Sequence, residues 1–231
     1  MKTIGIIGAM KDEITPLLQH YKNYTTIKLG KLEFYKITLE KEEKILYITQ
    51  SKIGKVSAAI AATTLISKYN CQQILFTGVA GANHKDLDIG DLVIGNKLVH
   101  HDVDITAFGH PKGHIPEIGI EIDTSEELNK IAESIIKEKN HNYKVGTIAT
   151  GDQFVHSKEI KEEITNNFNA IAIEMEGVAV AQTCNQLEVP CFILRAISDN
   201  ANGDAPENFE EFVKQSAIKS SEIIVEMIQL I

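Results

Sequence analysis

A chain of 231 residues, 43% of them apolar, is long enough for one large domain with a sizeable core, and its evenly spread charge argues against disorder. The net charge of -9 argues against a nucleic-acid or anionic-membrane partner, because phosphate binding needs a basic patch. Cys71, Cys184 and Cys191 are odd in number and lack metal spacing, so they read as buried thiols in a reducing compartment.

The opening TIGIIGAM reads as a parallel strand buried on both faces that ends on a glycine turn. It is too short for a signal peptide and is followed at once by Lys11, Asp12 and Glu13. No apolar stretch approaches the roughly 20 residues of a membrane helix, so a cytoplasmic location is expected. A first helix is predicted from about Asp12 to Tyr21, with Pro16 near its first turn. Residues 25–38 and 44–50 alternate as strands, joined by the charged run Glu40 to Lys44. After Gly54, KVSAAIAATTLISKY is a helix whose small residues allow close packing on a sheet. The strand QILFTG ends in the turn Gly78 to Gly81, and DLVIGNKLVHHDVD is again strand-like. Residues 107–122, with Pro111, Pro116 and several glycines, read as an irregular loop. Thr124 to Glu127 opens a helix to about Lys139. The strand VGTIATG leads to Asp152, Gln153, Phe154, Val155 and His156, and Ser157 starts a charged helix to Phe168. Pro190 introduces the last buried strand, CFILRAISD. A loop with Asn202, Gly203 and Pro206 separates it from an amphipathic helix over about 208–230. Strands alternating with helices mean an α/β fold with a largely parallel sheet between helical layers, and nothing reads as a linker, a repeat or a second domain.

The stretch AIAIEMEG, Ala170 to Gly177, carries the chemistry. In an extended strand Glu174 and Glu176 share one side and Met175 takes the other. Two carboxylates closing an apolar strand are costly to bury unless something binds them, and α/β sheets bind ligands beyond the carboxyl ends of their strands. A polar ligand with hydroxyls is one reading; a solvated turn whose acids only favour a helix N-terminus is the other. Glu13 follows the first strand and Asp199 the last, while Gly78 to Gly81 and Phe154 close two more. If the strands run parallel, these ends share one edge and outline one site. Other chemistries are poorly supported. Gly5 and Gly8 do not make a dinucleotide fingerprint, and there is no Walker lysine motif. His100, His101, Asp102 and Asp104 have ligating side chains, but neighbours on a strand point apart, which argues against a metal. Ser198 and Asp199 lack a nucleophile elbow.

The segments GIIGAMKDEI, SKIGKVSAA, FTGVAGA, DVDITAFGH, TGDQFV, AIEMEGVAVA and RAISDNA, in this order from residue 4 to about 228, resemble the 5′-methylthioadenosine/S-adenosylhomocysteine nucleosidases. The resemblance implies a three-layer α/β/α sandwich around a mixed, largely parallel twisted sheet. It implies a homodimer without metal or organic cofactor that releases adenine from 5′-substituted nucleosides. It makes Asp199, oriented by Ser198, the acid that protonates adenine N7, and Glu13 the base for the attacking water. Glu176 would bind the ribose 2′-hydroxyl and Met175 would pack on the sugar. Phe154 would stack on adenine, and the Val155 backbone would pair with its edge. Met10 and Phe209 would line the 5′ pocket, which Ile105, Phe108 and Pro116 would complete from the other subunit. Val79, with Ala80 and Gly81 in the same turn, stands where family members carry serine, leaving its backbone to act. SKIGKV and GDQFVHS resemble the subgroup that also cleaves 6-amino-6-deoxyfutalosine, a menaquinone precursor, and 5′-deoxyadenosine.

Glycosidic cleavage needs one protonated carboxyl and one ionised carboxylate, which agrees with two separate acids. Arg195 reads as a structural partner for a nearby acid. Two alternatives remain at this stage, a purine nucleoside phosphorylase and a non-catalytic nucleoside-binding module. The first needs arginines around its phosphate, which Glu13 would repel; the second has no use for a water-activating acid.

Overall fold

The computed structural model describes residues 1–199 and 209–231, with side chains from 211 onward in the second stretch. The elements are β1 (Lys2–Gly8), α1 (Lys11–His20), β2 (Thr25–Leu29), β3 (Leu32–Leu39), β4 (Lys44–Gln50), α2 (Lys55–Tyr69), β5 (Gln73–Ala82) and β6 (Leu92–His100). They continue with β7 (Glu121–Asp123), α3 (Glu126–Glu138), β8 (Tyr143–Thr150), α4 (Lys158–Phe168), β9 (Ala172–Glu174), α5 (Gly177–Gln186), β10 (Cys191–Asp199) and α6 (Phe209–Leu230). The strands form one mixed sheet in the order β10-β6-β8-β9-β5-β1-β4-β3-β2, with β7 on β6. Because β10 also pairs with β5, the strands β5, β10, β6, β8 and β9 close into a ring, and β1, β4, β3 and β2 extend from it as an arm.

Two apolar clusters flank this sheet. On one side α2 and α5 pack together, the small Ala58, Ala61, Ala62 and Ala181 letting them approach closely. On the other, α1 and α3 pack against α6 through Leu17, Ile135, Ile136, Ile224 and Met227. Full burial of each large aliphatic is worth about 1.5–3 kcal/mol, which makes the α/β/α sandwich the fold's main source of stability. A smaller cluster seats α4 against β8 with Val155, Ile164 and Phe168. Local signals fix the helix ends. Ser125 and Ser157 cap α3 and α4, each accepting the N–H three residues on at 3.4 Å. The buried Lys44 ammonium donates to the Ile228 carbonyl at 2.6 Å, where the last turn of α6 leaves carbonyls unpaired. No helix among the described residues is long and apolar enough to cross a membrane.

Four expectations change. Residues 25–38 are two strands, because Gly30 at φ +59° turns the chain into a hairpin between Leu29 and Leu32. Pro16 lies inside α1 rather than in its first turn, which costs the helix one backbone bond. Gly78 to Gly81 form no turn: β5 runs on to Ala82 because β10 pairs with it from Ile74 through Gly81. Most consequentially, the strands at the site do not all run one way. β1, β5 and β10 are mutually parallel, but β9 is antiparallel to β5, with Ile173 opposite Gly81. Ring closure, not a common direction, brings the end of β9 to the ends of β5 and β10. The loop expected around Asn202, Gly203 and Pro206 lies outside the described residues.

Candidate active site

A cavity of about 210 Å³ opens where α1 begins and where β5, β9 and β10 end. Four acids line it together with mainly apolar neighbours: Glu13, Glu176 and Asp199 from three distant parts of the sequence, and Glu174 two residues before Glu176.

Glu13 sits in the first turn of α1, where orphan N–H groups favour an anion. Its Oε2 accepts the Met10 N–H at 2.8 Å, and its Oε1 accepts the Val79 N–H at 3.1 Å. The backbone of Val79 therefore acts where its side chain has no polar atom. A Cβ on Gly78 would stand 2.8 Å from Glu13 Oε1, so the glycine is what admits the carboxylate against β5. Burial pushes the Glu13 pKa above its usual value, while the Met10 N–H, the Arg195 charge and the N–H groups of Val79 and Ala9 oppose the rise.

Asp199 ends β10 opposite Gly81, where a Cβ would lie 2.9 Å from Oδ2. The Ser198 hydroxyl is 3.1 Å from Asp199 Oδ1 and orients the group. Burial raises its pKa, against the Ser198 hydrogen bond and the charge of Lys161. A raised pKa favours the protonated acid that a proton donor must be.

Glu174 and Glu176 do not share a strand face, because β9 stops at Glu174 and the chain bends before α5. Glu174 turns into a buried network. It receives the Arg195 Nη2 at 2.7 Å, the N–H groups of Glu176 at 3.1 Å and Gly177 at 2.7 Å, and the Thr150 hydroxyl. The Arg195 guanidinium also stacks over Phe76, 4.0 Å from the ring centre. Arg195 is thus the structural partner of an acid, and the acid is Glu174. Glu176 accepts the Gly54 N–H at 2.8 Å, which the positive φ of +96° at Gly54 aims at it. Burial raises the Glu176 pKa, and the neighbouring Glu174 charge adds to the rise.

Of the residues expected from the sequence, Met10, Glu13, Val79, Ala80, Gly81, Phe154, Met175, Glu176, Ser198 and Asp199 all line the cavity. Val155 does not; its side chain is buried with Ile164 and Phe168 in the cluster under α4. Ile105, Phe108 and Pro116 are also absent from this lining, and Phe108 is 82% exposed in the single chain. The Phe209 side chain lies outside the described residues. Sequence reasoning missed Ala9, Ile53 and Ile173 as lining residues, and gave no role to Glu174, which also lines the cavity. Ile53 had one signal, its place beside Gly54 in SKIGKV; Ala9 and Ile173 look like ordinary strand residues. Among the described residues no lysine or arginine lines the cavity.

The comparisons with known proteins agree along the whole chain. A model of the phosphorylase superfamily matches residues 3–229. The aminodeoxyfutalosine nucleosidase of Helicobacter pylori (strain J99) is 46% identical over 229 residues, covering 99% of both chains. The 5′-methylthioadenosine/S-adenosylhomocysteine nucleosidase of Staphylococcus haemolyticus is 44% identical, covering 99% of this chain and 100% of that one. The Helicobacter pylori 5′-methylthioadenosine/S-adenosylhomocysteine nucleosidase, solved with butyl-thio-DADMe-Immucillin-A, superposes with a TM-score of 0.96 at 45% identity, covering 100% of this chain and 99% of that one. From the family model and from relatives alike end to end in sequence and fold, it follows that this chain belongs to the phosphorylase superfamily.

Proposed function

We propose that this chain is an N-glycosidase that uses water to release adenine from 5′-methylthioadenosine, S-adenosylhomocysteine and related nucleosides, 6-amino-6-deoxyfutalosine and 5′-deoxyadenosine among them. The observation that carries the reading is a small, largely apolar cavity lined by four carboxyls, of which only Glu174 is paired with an arginine, and by no cation among the described residues. A phosphorylase on the same fold would bind its phosphate dianion there, and the carboxyls of Glu13, Glu176 and Asp199 disfavour that. The names of relatives at 44–46% identity, nucleosidases of these two substrate groups, support the substrate class.

In this reading the Asp199 proton passes to N7 of adenine as the C1′–N9 bond breaks and its electron pair moves onto the purine. Phe154 stacks on the base and Met175 packs on the sugar. Glu176 binds the 2′-hydroxyl, and its charge counts most when the sugar becomes cationic. Water attacks C1′ and gives its proton to Glu13, leaving adenine and the 5′-substituted ribose. Burial raises the pKa of both acids, which favours Asp199 as the protonated donor and makes Glu13 a stronger base, while N–H donors from Met10 and Val79 hold the Glu13 carboxylate in place.

The working unit in this proposal is a cytoplasmic homodimer of single-domain chains. Exposed Ile53, Val56 and Ile60 around α2 and exposed Phe108 in the 101–120 segment form apolar surface suited to a second copy. Phe108, Ile105 and Pro116 would then reach the neighbouring site. A monomeric mass at micromolar concentration overturns this part. For the chemistry, adenine release from 5′-methylthioadenosine in phosphate-free buffer is the test. Release supports the hydrolase, dependence on phosphate makes it a phosphorylase, and no release makes it a binder.

A further inference from the structure

Lys161 is on the wrong side of its helix. On α4 it shares the inward face with Ile164 and Phe168, the positions that helical periodicity gives to apolar residues. It is only 5% exposed, and a buried ammonium is unfavourable unless a charge answers it. Its Nζ stands 4.0 Å from Asp199 Oδ2, the oxygen that also faces Gly81. That separation is longer than a hydrogen bond, so the ammonium biases the carboxyl by charge without occupying the oxygen. Oδ2 stays available to exchange a proton with a ligand, while Oδ1 is held by Ser198.

We propose that Lys161 is a positioning residue for the proton transfer: its ammonium stabilises the Asp199 carboxylate that remains once the proton has passed to N7, and so makes Asp199 a stronger acid. The proposal rests on the reading of Asp199 as the proton donor. Among the described residues, the other charged groups around this end of the cavity are Glu13 from α1, Glu176 beyond β9, and Glu174 with its partner Arg195. Burial disfavours ionisation of Asp199, and Arg195 is already engaged with Glu174. Lys161 supplies the opposing charge. The same pair weakens the lysine's own affinity for a proton less than burial alone would, since Asp199 raises what desolvation lowers.

The proposal has a signature that a space-filling lysine would not give. Replacing Lys161 with a neutral residue raises the Asp199 pKa and weakens it as an acid. The pH profiles of kcat/KM for 5′-methylthioadenosine should therefore cross. On the low-pH plateau Lys161→Met and Lys161→Gln should be roughly three- to tenfold slower, because Brønsted behaviour penalises the weaker acid. Their alkaline limb should move up by about one pH unit, because the proton is retained longer. Lys161→Arg should return the limb to its wild-type place. On a 4-nitrophenyl riboside, whose leaving group has no N7 to protonate, the loss in Lys161→Met should shrink. An unmoved limb, an equal loss on both substrates, or failure of both neutral variants to fold while Lys161→Arg folds would each overturn the proposal. Asp199→Asn run in parallel separates the two claims: equal loss on both substrates in that variant removes the proton-donor reading itself.

Discussion

Glu174 and Glu176 are two residues apart, yet they have opposite environments. Glu174 has a guanidinium, a hydroxyl and two backbone N–H groups as partners. Among the described residues Glu176 has one N–H, that of Gly54, and it lines the cavity. The difference lies in the bend after β9, which turns the Glu174 carboxylate onto Arg195 at the cavity wall and leaves Glu176 with a single N–H among the described residues. The buried ion pair holds the turn that presents Glu176; the under-partnered acids, Glu176, Glu13 and Asp199, keep capacity for a ligand. Satisfied polar groups build the scaffold, and incompletely satisfied ones are where a substrate can gain binding energy.

The largest expected effect breaks the cavity-facing set. Asp199→Asn and Glu13→Gln should each lower kcat by about 10²–10⁴-fold, the usual worth of a positioned acid or base. Their losses should not multiply, since departure of the base and attack of water serve one transition state. Thermal unfolding should leave both variants folded, and steady-state kinetics of the single and double variants check the rest. Arg195→Met attacks the other set. It strands the Glu174 carboxylate in a site where Arg195 is 1% exposed, and removing one member of a buried pair costs about 3–5 kcal/mol. Urea unfolding should show that loss, and Arg195→Met with Glu174→Gln should recover part of it. If Arg195→Met were as stable as wild type, the pair would not be scaffold.

A finer cut tests the glycines that separate the sets. Gly81→Ala puts a Cβ where it would meet Asp199 Oδ2 at 2.9 Å, so the carboxyl must shift. A displacement of this kind can cost roughly 10–100-fold in kcat, while stability should change by no more than about 1 kcal/mol. A large stability loss with unchanged kcat would place the constraint in the strand pairing instead.

Much of this was legible in the sequence because it follows from local periodicity. KVSAAIAATTLISKY is α2 with its bounds unchanged, and the acids Glu13, Glu176 and Asp199 meet in one cavity as expected, though through ring closure and not through the all-parallel strands that the expectation assumed. What was not legible depends on pairing between distant segments. Nothing in QILFTGVAGA says that β10 will hold it extended to Ala82, or that β9 will run against it and close a ring. The different environments of Glu174 and Glu176 likewise depend on Arg195, 21 residues beyond Glu174 in the chain and on another strand. Lys161 looks like one more charge in a charged helix until Ile164 and Phe168 show which face is buried.

The smallest expected effect sharpens the comparison without substrate. Burial, reinforced by Glu174, holds the Glu176 pKa above its unfolded value of 4.5, against the Gly54 N–H and the Arg195 charge. A raised carboxyl pKa means that the native state binds more protons than the unfolded one as pH climbs past 4.5. The stabilisation is therefore fully present below the unfolded value and is lost as pH rises through the folded one. While Glu176 titrates, its contribution to the slope is at most about 1.4 kcal/mol per pH unit. Glu13 and Asp199 are raised as well and act with the same sign. His100 and His101, lowered by burial, act oppositely as pH falls through their range. Comparing wild type with Glu176→Gln removes these shared terms. Urea unfolding across pH 5–8 should show the variant losing less stability with rising pH than wild type does. Glu174→Gln should leave a Glu176 that ionises more readily, so its share of the slope should move to lower pH. Parallel curves for wild type and Glu176→Gln would mean that Glu176 is no less satisfied than Glu174, and the distinction between the two carboxylates would fail.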